Sequence, residues 1–413
     1  MTTKVRLDLQ YFIKTLSTIN KGDKRMLHRI TAPTWAEINL DNIRFNLDNI
    51  KKLLKEDTKI CGVVKANAYG HGSVEISKVL INEGVDYLAV ARLEEAIELR
   101  QNNIIIPILC LGYIDESSLE DAVKNDIYIT VYSYESAYKL NEICKKLGKK
   151  SKIHIKIDTG MSRIGFLPNT KSVDDIQNIY KLSNIIIEGI YTHFAVADEK
   201  DKDFTYKQVY RINYIIKELE NRDVYIPIKH VSNSAATMDC YDLHFNMVRC
   251  GIILYGHYPS DDVKKEVLPL KPTMTLKTKV AHIKELDSDV GISYGLRYKT
   301  VEKAKIATLP IGYADGFTRL LTDKAKVKVN GKIFPVVGKI CMDQCMIKIN
   351  ENDDIKIGDE VIIFGEGDDI RIENLANELE TINYEMLCMI ARRVERVYVE
   401  GNVILQKTNY LIK

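Results

Sequence analysis

Short apolar runs alternate with longer amphipathic segments from Pro33 to about residue 260, and this alternation constrains the fold more than any other feature of the sequence. The apolar runs have the length of buried strands, and the segments between them carry apolar residues at helical spacing. The strand-like runs are TWAEINL, KICGVVKAN, YLAVA, IIPILCLGY, IYITVYS, SKIHIKID, IIIEGIYTHF, IPIKHVSN and MVRCGIILYG. About eight βα units over roughly 220 residues predict a closed (β/α)8 barrel of the TIM type. An open, doubly wound sheet is the alternative, but no G-x-G-x-x-G follows a first strand.

The pattern changes near residue 260, after YPSDD. From there, short alternating runs such as TLKTKVAHIKEL and KAKIATLPI are separated by Gly and Asn-Gly turns, which is typical of β hairpins. Helical spacing returns only from about residue 372, in NLANELETINYEMLCMIARRV, before a last strand RVYVEG. We therefore predict an α/β + β organisation, with a barrel domain over 34–268, in which ICGVV is the second strand, and a mainly β domain over 269–413.

Residues 1–33 form a basic extension ahead of the predicted barrel. The extension has seven lysines and arginines against two aspartates, its apolar residues are sparse, and the segment 20–23 interrupts any helical pattern. These features favour a flexible tail or a short docked helix over a helix that lies on a membrane surface.

The composition excludes several classes of partner. The 413 residues contain 59 basic and 57 acidic side chains, a net charge of +2, which gives no reason to expect nucleic acid or an acidic membrane. A small molecule or a second copy of the chain is the favoured partner. No apolar run is long enough to span a bilayer and no signal-peptide core begins the chain, so we expect a cytoplasmic protein. The eight cysteines are scattered without C-x-x-C spacing, which predicts reduced thiols and no metal site.

The stretch ICGVVKANAYGHG begins as a buried strand and ends with polar groups and glycines. If ICGVV is a barrel strand, Lys65 lies at its carboxyl end, the edge at which barrel active sites are built. The apolar residues before Lys65 would desolvate its ammonium and lower its pKa, which suits a lysine that forms a Schiff base. Gly70 and Gly72 permit a sharp turn, and Tyr69 brings a phenol to the same edge. Taken alone, the stretch is equally compatible with a lysine that merely ends a strand.

The run VVKANAYGHG resembles the cofactor-lysine motif of alanine racemases, and further blocks similar to that family follow in the same order. They are KIDTGMSRIG, YTHFA, HVSNSAA, VRCGIILYG, ISYG, LPIGYADGF, GKICMDQ and YEMLC. One block alone would be weak evidence, but eight in register over some 380 residues are highly specific. The resemblance implies an isomerase with a pyridoxal 5'-phosphate (PLP) barrel, a C-terminal β domain, and a head-to-tail homodimer with shared active sites.

Racemisation of an amino acid removes the α-proton from one face and returns a proton to the other, so it requires an electron sink and two bases. The resemblance implies that PLP is the sink, that Lys65 binds it covalently, and that Lys65 serves as the base on the side of the D-isomer. Tyr294 of ISYG corresponds to the opposite base and is expected to come from the partner chain. Outside this context, a tyrosine beside a glycine is usually a turn residue. The implied reaction interconverts L-alanine and D-alanine and supplies D-alanine for peptidoglycan.

The remaining motifs supply groups that suit a flat, anionic cofactor. Arg249 of VRCGI corresponds to the residue that faces the pyridine nitrogen, and because a guanidinium only donates hydrogen bonds, it would keep that nitrogen unprotonated. His193 of THFA corresponds to an imidazole in contact with that arginine. The resemblance assigns phosphate binding to hydroxyl groups and backbone amides at the barrel edge, a combination that suits an anion. These groups belong to Tyr69, Ser234, Gly251, Ile252 and Tyr384.

Three further residues correspond to substrate-binding positions of the family. Arg163 of MSRIG would orient the substrate carboxylate and the cofactor phenolate, a task for a fixed cationic fork. Met342 and Asp343 of CMDQ would lie over the substrate from the partner's β domain. Lys156 matches a lysine that is carbamylated in some members to hold that arginine. A bulky phenol at Tyr384 would narrow the pocket, which favours alanine over serine.

Other functions remain open from the sequence. A serine or broad-specificity racemase of the same architecture is the hardest to separate. A PLP-dependent decarboxylase of this fold would carry a partner-chain cysteine motif beside an acidic pair, and Cys341 leaves that alternative open. A non-catalytic PLP-binding protein would need neither the β domain nor Tyr294. The chain departs from the family in Glu395, where proline is usual, and in the basic extension, but neither departure touches the expected chemistry.

Overall fold

The computed structural model describes residues 32–412, so nearly all of the basic extension predicted over 1–33 lies outside the described residues. The described chain divides into two compact units. The first unit consists of Leu40–Met274 and Glu380–Met389. The second unit consists of the described residues up to Asn39, of Thr275–Leu379, and of those from Ile390 onward.

Strands and helices alternate along the first part of the chain, as the apolar pattern predicts. The strands are β1 (Trp35–Asn39), β2 (Lys59–Val63), β3 (Tyr87–Val90), β4 (Ile108–Cys110), β5 (Tyr128–Val131), β6 (Ser151–Lys156), β7 (Ile185–Tyr191), β8 (Ile228–His230) and β9 (Met247–Cys250). The α-helices are α1 (Leu40–Leu53), α2 (Ser73–Asn82), α3 (Leu93–Gln101), α4 (Leu119–Lys124), α5 (Tyr134–Leu147), α6 (Thr170–Tyr180), α7 (Asp203–Glu220) and α8 (Ser234–Asp239). Short 3-10 helices are present at Glu116–Ser118, Tyr241–Leu243, Ile252–Tyr255 and Lys265–Val267.

Strands β2 to β9 form one parallel sheet in the order β8-β7-β6-β5-β4-β3-β2-β9. The first and last of these strands in the chain, β2 and β9, pair directly. Backbone hydrogen bonds bridge the remaining seam, between β8 and β9. The Asn246 N–H donates to the Lys229 carbonyl at 3.1 Å, and the Arg249 N–H donates to the Ser232 carbonyl at 3.0 Å. The predicted (β/α)8 barrel is confirmed.

The burial of strands and helices explains why the alternating pattern encodes this fold. Strand β3 is buried along its whole length, which is typical of a parallel sheet covered on both faces. Helix α7 instead buries one face at helical spacing, including Val209, Ile212, Ile216 and Leu219. Complete burial of each such side chain stabilises the fold by about 1.5–3 kcal/mol.

Strand β1, from the run TWAEINL that was predicted to open the barrel, is not a barrel strand. It pairs in parallel with Glu395–Glu400 in the second unit. ICGVV is therefore the first barrel strand rather than the second. The unit that contains the barrel spans 40–274 with 380–389, which differs from the predicted domain 34–268. Local alternation identifies a strand but not its partner, because the pairing depends on a segment far away in the chain.

The second unit is mainly β, as predicted. After β1, its strands are β10 (Met274–Lys279), β11 (His282–Leu286), β12 (Gly291–Ile292), β13 (Tyr298–Lys299), β14 (Ala304–Leu309), β15 (Lys326–Val329), β16 (Lys332–Pro335), β17 (Cys345–Ile349), β18 (Glu360–Phe364), β19 (Glu395–Glu400) and β20 (Val403–Thr408). They form a seven-stranded sheet in the order β16-β15-β18-β10-β1-β19-β20, a three-stranded sheet β11-β14-β17 and the pair β12-β13. The run RVYVEG, predicted to be the last strand, is β19, and β20 follows it. Short 3-10 helices are present at Tyr294–Leu296, Tyr313–Asp315 and Arg319–Leu321.

The helical stretch predicted from about residue 372 is two short helices, α9 (Ile372–Glu378) and α10 (Asn383–Cys388). The chain is extended at Ile382, with φ −114° and ψ 154°, which separates them. Helix α10 belongs to the first unit, with the barrel. In the described part of the chain, every helix falls short of the length or the apolar character that a membrane crossing requires.

Candidate active site

The chain leaves β2 through a left-handed turn at the carboxyl end of the strand. Residues 66–69 all have positive φ values, between 51° and 55°. For side chains other than glycine this conformation costs about 1–2 kcal/mol per residue, and such strain is concentrated at functional sites. His71 is fully buried, and its Nδ1 lies 3.0 Å from the carbonyl oxygens of Ala68 and Tyr69. The turn follows directly on Lys65 and ends with the phenol of Tyr69.

Lys65 is partly buried at the start of this turn. Burial lowers the pKa of its ammonium, and the Arg163 guanidinium lowers it further. Cys388 and Glu95 act in the opposite direction. A lysine with a lowered pKa holds more of its amine in the neutral form, which forms a Schiff base or accepts a proton. Burial thus shifts the pKa of Lys65 in the direction that the sequence predicts.

Tyr69, Ser234 and Gly251 come together at the carboxyl edge of the barrel. Ser234 is the first residue of α8, and its Oγ accepts a hydrogen bond from the Gly251 N–H at 3.0 Å. A Cβ on Gly251 would lie 2.6 Å from the Tyr69 Oη and 3.7 Å from the Ser234 Oγ, so only glycine permits this approach. Ile252 begins a 3-10 helix immediately afterwards. Hydroxyl groups and backbone amides gathered in this way suit an anion such as a phosphate.

Tyr384, on α10, belongs to the same cluster. Its ring centroid lies 6.0 Å from that of Tyr69, and the Tyr69 centroid lies 4.8 Å from that of Tyr255. Helix α10 is held by Asn383, whose Nδ2 donates to the Tyr258 carbonyl at 3.0 Å. Burial raises the pKa of the phenols of Tyr69 and Tyr384, so both remain protonated hydrogen-bond donors near neutral pH.

Arg249, in β9, is a guanidinium that is only 3% exposed. Its Nη2 donates to the carbonyl oxygens of Thr192 at 2.8 Å and Val231 at 3.0 Å, and its Nη1 donates to the His230 carbonyl at 3.0 Å. Within residues 32–412 its hydrogen-bond acceptors are carbonyls and imidazoles rather than carboxylates. Burial lowers the pKa of Arg249, yet a guanidinium stays charged in a protein. A buried cation without an anionic side chain beside it is costly, which points to a function other than stability.

Two imidazoles, those of His193 and His230, contact Arg249 directly, and a third, that of His154, contacts His230. The His193 Nδ1 lies 3.3 Å from Nη2, and the His230 Nδ1 lies 3.1 Å from Nη1. The His230 Nε2 in turn lies 2.9 Å from the His154 Nδ1. Because a guanidinium only donates, His230 accepts at Nδ1 and donates from Nε2 to His154. Burial lowers the pKa of all three imidazoles, to about 3 for His154, so they are neutral. A Cβ on Gly189 would lie 2.4 Å from the His154 Nδ1, so glycine is required there.

The loop after β6 carries Arg163, whose side chain is exposed. The Asp158 carboxylate organises this loop by accepting hydrogen bonds from three backbone N–H groups. The donors are those of Gly160 at 2.9 Å, Ser162 at 3.0 Å and Arg163 at 3.0 Å. The backbone beneath the guanidinium is therefore fixed while the side chain remains accessible.

Lys156, the last residue of β6, is buried and donates from Nζ to the Ile157 carbonyl at 2.8 Å. Burial, reinforced by the charge of Arg249, lowers the pKa of Lys156 to about 7. A large fraction of this amine is therefore neutral near pH 7, and only a neutral amine adds to carbon dioxide.

Tyr294, Met342 and Asp343 lie in the second unit and line one open cavity of about 750 Å3. Tyr294 is 66% exposed and Met342 is 53% exposed. Ser293, with φ 63°, donates from Oγ to the Lys339 carbonyl at 2.5 Å, which fixes the turn that presents Tyr294. The other residues predicted from the sequence to form the site lie in the first unit.

The residues of the first unit fit PLP in the chemistry of their donor groups. They offer an amine with a lowered pKa, a cluster of hydroxyl groups and amides for a phosphate, and a buried guanidinium for an aromatic nitrogen. The glycine at Gly251 preserves the space between these groups, which a methyl group would fill. Among residues 32–412 there is no group of three or more His, Cys, Asp or Glu side chains that could hold a metal ion.

Two histidines of the site, His230 and His154, are not among the residues predicted from the sequence, although His230 contacts Arg249 and His154 contacts His230. Both histidines stand in strand-like runs, SKIHIKID and IPIKHVSN, and a polar residue inside such a run was the available signal. Such a run does not predict that the two histidines contact each other, because their strands, β6 and β8, are not neighbours in the sheet but are separated by β7.

Comparison with known proteins identifies the family. Family models described as the N-terminal and the C-terminal domain of alanine racemase match residues 38–259 and 273–398. The alanine racemase of Clostridium perfringens is 50% identical over 381 residues, which cover 92% of this chain and 98% of that protein. The alanine racemase of Methanococcus maripaludis is 50% identical over 372 residues, which cover 90% of this chain and 100% of that protein.

Solved structures agree with the sequence relatives. The alanine racemase of Clostridium difficile 630 has a TM-score of 0.91 at 60% identity and covers 93% of this chain and 100% of its own. The alanine racemase of Bacillus anthracis, with bound L-Ala-P, has a TM-score of 0.87 at 37% identity and covers 93% of this chain and 99% of its own. With both domains matched and the barrel and β domain in place, this chain belongs to the alanine racemase family and is an isomerase.

Proposed function

We propose that this enzyme interconverts L-alanine and D-alanine with PLP, using Lys65 and Tyr294 of a second copy as the two proton-transferring groups. The observation that carries the proposal is the position of Lys65: a partly buried amine with a lowered pKa, at the start of the turn whose last residue, Tyr69, meets Gly251 and Ser234. An amine of this kind is the group to which PLP attaches, and an adjacent cluster of donors is what its phosphate requires.

When bound, PLP supplies the electron sink that weakens the bond between the α-carbon and its proton. Lys65 would attach the cofactor, and the hydroxyl groups of Tyr69, Ser234 and Tyr384 with the amides of Gly251 and Ile252 would bind its phosphate. Arg249 would donate to the pyridine nitrogen and keep it unprotonated, because a guanidinium does not give up its proton and the neutral imidazoles beside it, His193 among them, are too weakly acidic to protonate the ring.

The stereochemistry requires proton transfer on both faces of the α-carbon. Lys65 Nζ would accept and return the proton on the side of the D-isomer, and burial supports this assignment because it lowers the pKa of the amine. The Tyr294 Oη would do so on the side of the L-isomer.

A homodimer with shared active sites is part of the proposal. Tyr294, Leu296 and Met342 are 66%, 58% and 53% exposed, and such a group of large exposed side chains is typical of a surface that a second copy covers. Its members include a proposed catalytic phenol, so covering this surface would complete an active site and not only stabilise an assembly.

Arg163 would bind the substrate carboxylate with its exposed guanidinium, held in place through the Asp158 loop. Lys156, in carbamylated form, would present an anion that orients Arg163. Met342 and Asp343 of the second copy would lie over the substrate, with the Asp343 carboxylate restrained by its 2.7 Å ion pair to Arg393.

Alanine is the proposed substrate because the phenol of Tyr384 stands in the phosphate-binding cluster, where it would limit the side chain of the substrate. We further propose a cytoplasmic enzyme that supplies D-alanine for peptidoglycan, on the basis of the family resemblance.

The test is α-proton exchange in heavy water with purified protein and PLP, using L-alanine and L-serine in separate incubations. We expect alanine to become racemic with deuterium at the α-carbon and serine to react far more slowly. Rapid serine racemisation would replace the alanine assignment by a serine or broad-specificity racemase. Bound PLP without exchange of either substrate would overturn racemisation and leave a decarboxylase or a PLP-binding protein.

A further inference from the structure

One carboxylate connects two loops at the carboxyl edge of the barrel. The Glu95 Oε1 accepts a hydrogen bond from the Ala66 N–H at 2.6 Å. The Glu95 Oε2 accepts from the Ala91 N–H at 2.8 Å and from the Arg92 N–H at 3.1 Å. Ala66 is the residue directly after Lys65, whereas Ala91 and Arg92 lie between β3 and α3.

The Ala66 amide is the place at which the left-handed turn begins. Residues 66–69 have positive φ without a glycine among them, so this turn is unfavourable by itself and needs interactions that hold it. His71 binds the carbonyl oxygens of Ala68 and Tyr69 at its far end. Glu95 supplies the matching interaction at its near end, where the side chain of Lys65 leaves the backbone.

A simpler interpretation is that Glu95 only caps α3. It is the third residue of that helix, and Oε2 satisfies the N–H groups at its start. Capping needs one oxygen, however, and the second oxygen makes the shortest of the three hydrogen bonds, to a residue of a different loop. A hydrogen bond from a backbone N–H to a carboxylate is stronger than one between two neutral groups, so this contact should stabilise the position of the Ala66 amide.

We propose that Glu95 is a positioning residue that holds the Ala66 amide and thereby fixes the left-handed turn and the direction of the Lys65 side chain. The hydrogen bonds of Glu95 alone support its role in the turn, whereas the consequence for cofactor attachment rests on the proposed function of Lys65. Loss of the carboxylate should loosen the turn and slow the reaction of Lys65 with PLP while the barrel remains folded.

The test compares Glu95→Gln with two matched controls in the apoenzyme. Glu94→Gln removes the same charge from the exposed neighbouring position. Ser133→Ala removes a cap from another barrel helix, because the Ser133 Oγ accepts from the Ser136 N–H at 3.1 Å at the start of α5. The first readout is hydrogen–deuterium exchange of peptides that cover residues 66–70. The second is the rate at which Lys65 captures PLP, measured by borohydride reduction and peptide mass spectrometry.

For Glu95→Gln we expect exchange of the turn amides to become roughly tenfold faster or more, with a clear fall in the capture rate. Both controls should retain wild-type values in both readouts, even where Ser133→Ala lowers the melting temperature. Wild-type exchange and wild-type capture in folded Glu95→Gln would reduce Glu95 to a helix cap and overturn the proposal. If Glu95→Gln does not fold, Glu95→Asp takes its place, since its side chain is one methylene group shorter and should lose contact with one of the two loops. Wild-type values there would overturn the proposal equally.

Failure of this inference and failure of the proposed function are distinguishable. Accelerated exchange in Glu95→Gln, in a protein that racemises nothing, would support the role in the turn and reject the racemase. A wild-type enzyme that racemises alanine, beside a Glu95→Gln variant with wild-type exchange and capture, would support the racemase and reject the role of Glu95.

Discussion

At the scale of single residues, the site depends on charged groups that the barrel forces out of water. Arg249 is a cation whose described acceptors are backbone carbonyls and neutral imidazoles, and Lys65 and Lys156 are amines with lowered pKa values. Burial is unfavourable for a cation, so it favours the loss of a proton from each lysine, whereas Arg249 stays charged and is left to interact with an anion or a nitrogen lone pair. These residues therefore lower the stability of the fold in positions where the proposed function needs them.

Lys156 gives a pH-dependent prediction. Its pKa of about 7 means that the amine is mainly protonated below that pH and mainly neutral above it. We expect native mass spectrometry with bicarbonate at about pH 8 to find one added carbon dioxide per chain, and far less at about pH 6, because only the neutral amine reacts. Lys156→Arg is the control and should add none. An unmodified wild-type mass at the higher pH would contradict the proposed carbamylation.

His230 gives a prediction about the free energy of unfolding. Its Nδ1 accepts from the buried Arg249 guanidinium at 3.1 Å. His230→Phe keeps an aromatic ring but removes the acceptor, and we expect the free energy of unfolding to fall by about 1–3 kcal/mol. His230→Gln, which retains an acceptor oxygen, should lose less. Equal stabilities of the two variants in urea unfolding would show that this hydrogen bond contributes little.

At the scale of elements, the left-handed turn after β2 and the glycine after β9 decide how closely the functional groups approach. Both segments are identifiable from the sequence, since the motifs there predict Lys65, Tyr69 and Gly251 as site residues. Four consecutive left-handed residues are not predictable from the sequence, because among residues 66–69 only asparagine tolerates that conformation readily. Contacts from Glu95 and His71 impose it, and one of these comes from another βα unit.

Gly251 gives a prediction at this scale. A Cβ in Gly251→Ala would lie 2.6 Å from the Tyr69 Oη, so the phenol must move out of the anion-binding cluster. We expect PLP affinity, measured by quenching of tyrosine fluorescence or by equilibrium dialysis, to fall by about tenfold or more. Gly148→Ala is the control, because a Cβ there meets nothing within 4 Å and its effect should be limited to stability. Unchanged affinity in Gly251→Ala would remove this cluster from the cofactor site.

At the scale of the whole molecule, the residues proposed for the active site are distributed over both units. Lys65 and the donor groups are in the barrel unit, and Tyr294, Met342 and Asp343 are in the mainly β unit. The exposure of Tyr294 and Met342 supports a second copy as the group that covers them.

Mixed dimers test the shared site. Lys65→Ala chains and Tyr294→Phe chains should each be inactive alone. When the two chains are co-expressed, about half of the dimers should be mixed, and each mixed dimer should have one intact site of its two. The mixture should therefore show about a quarter of the wild-type activity. Two differently tagged Lys65→Ala chains, purified in the same way, should remain inactive. Inactive mixed dimers of the expected mass would argue against a catalytic Tyr294 from the second copy.

The sequence by itself determined the alternation of strands and helices, the barrel, the change to β structure, and the motifs that carry Lys65, Arg249 and the donor groups. Periodicity and side-chain type are local properties, so they can be determined from the sequence alone. Only the tertiary structure decided that β1 pairs with β19 outside the barrel, that α10 joins the barrel unit, and that His154 meets His230. These outcomes depend on which distant segments exclude water together, and no local pattern encodes that choice.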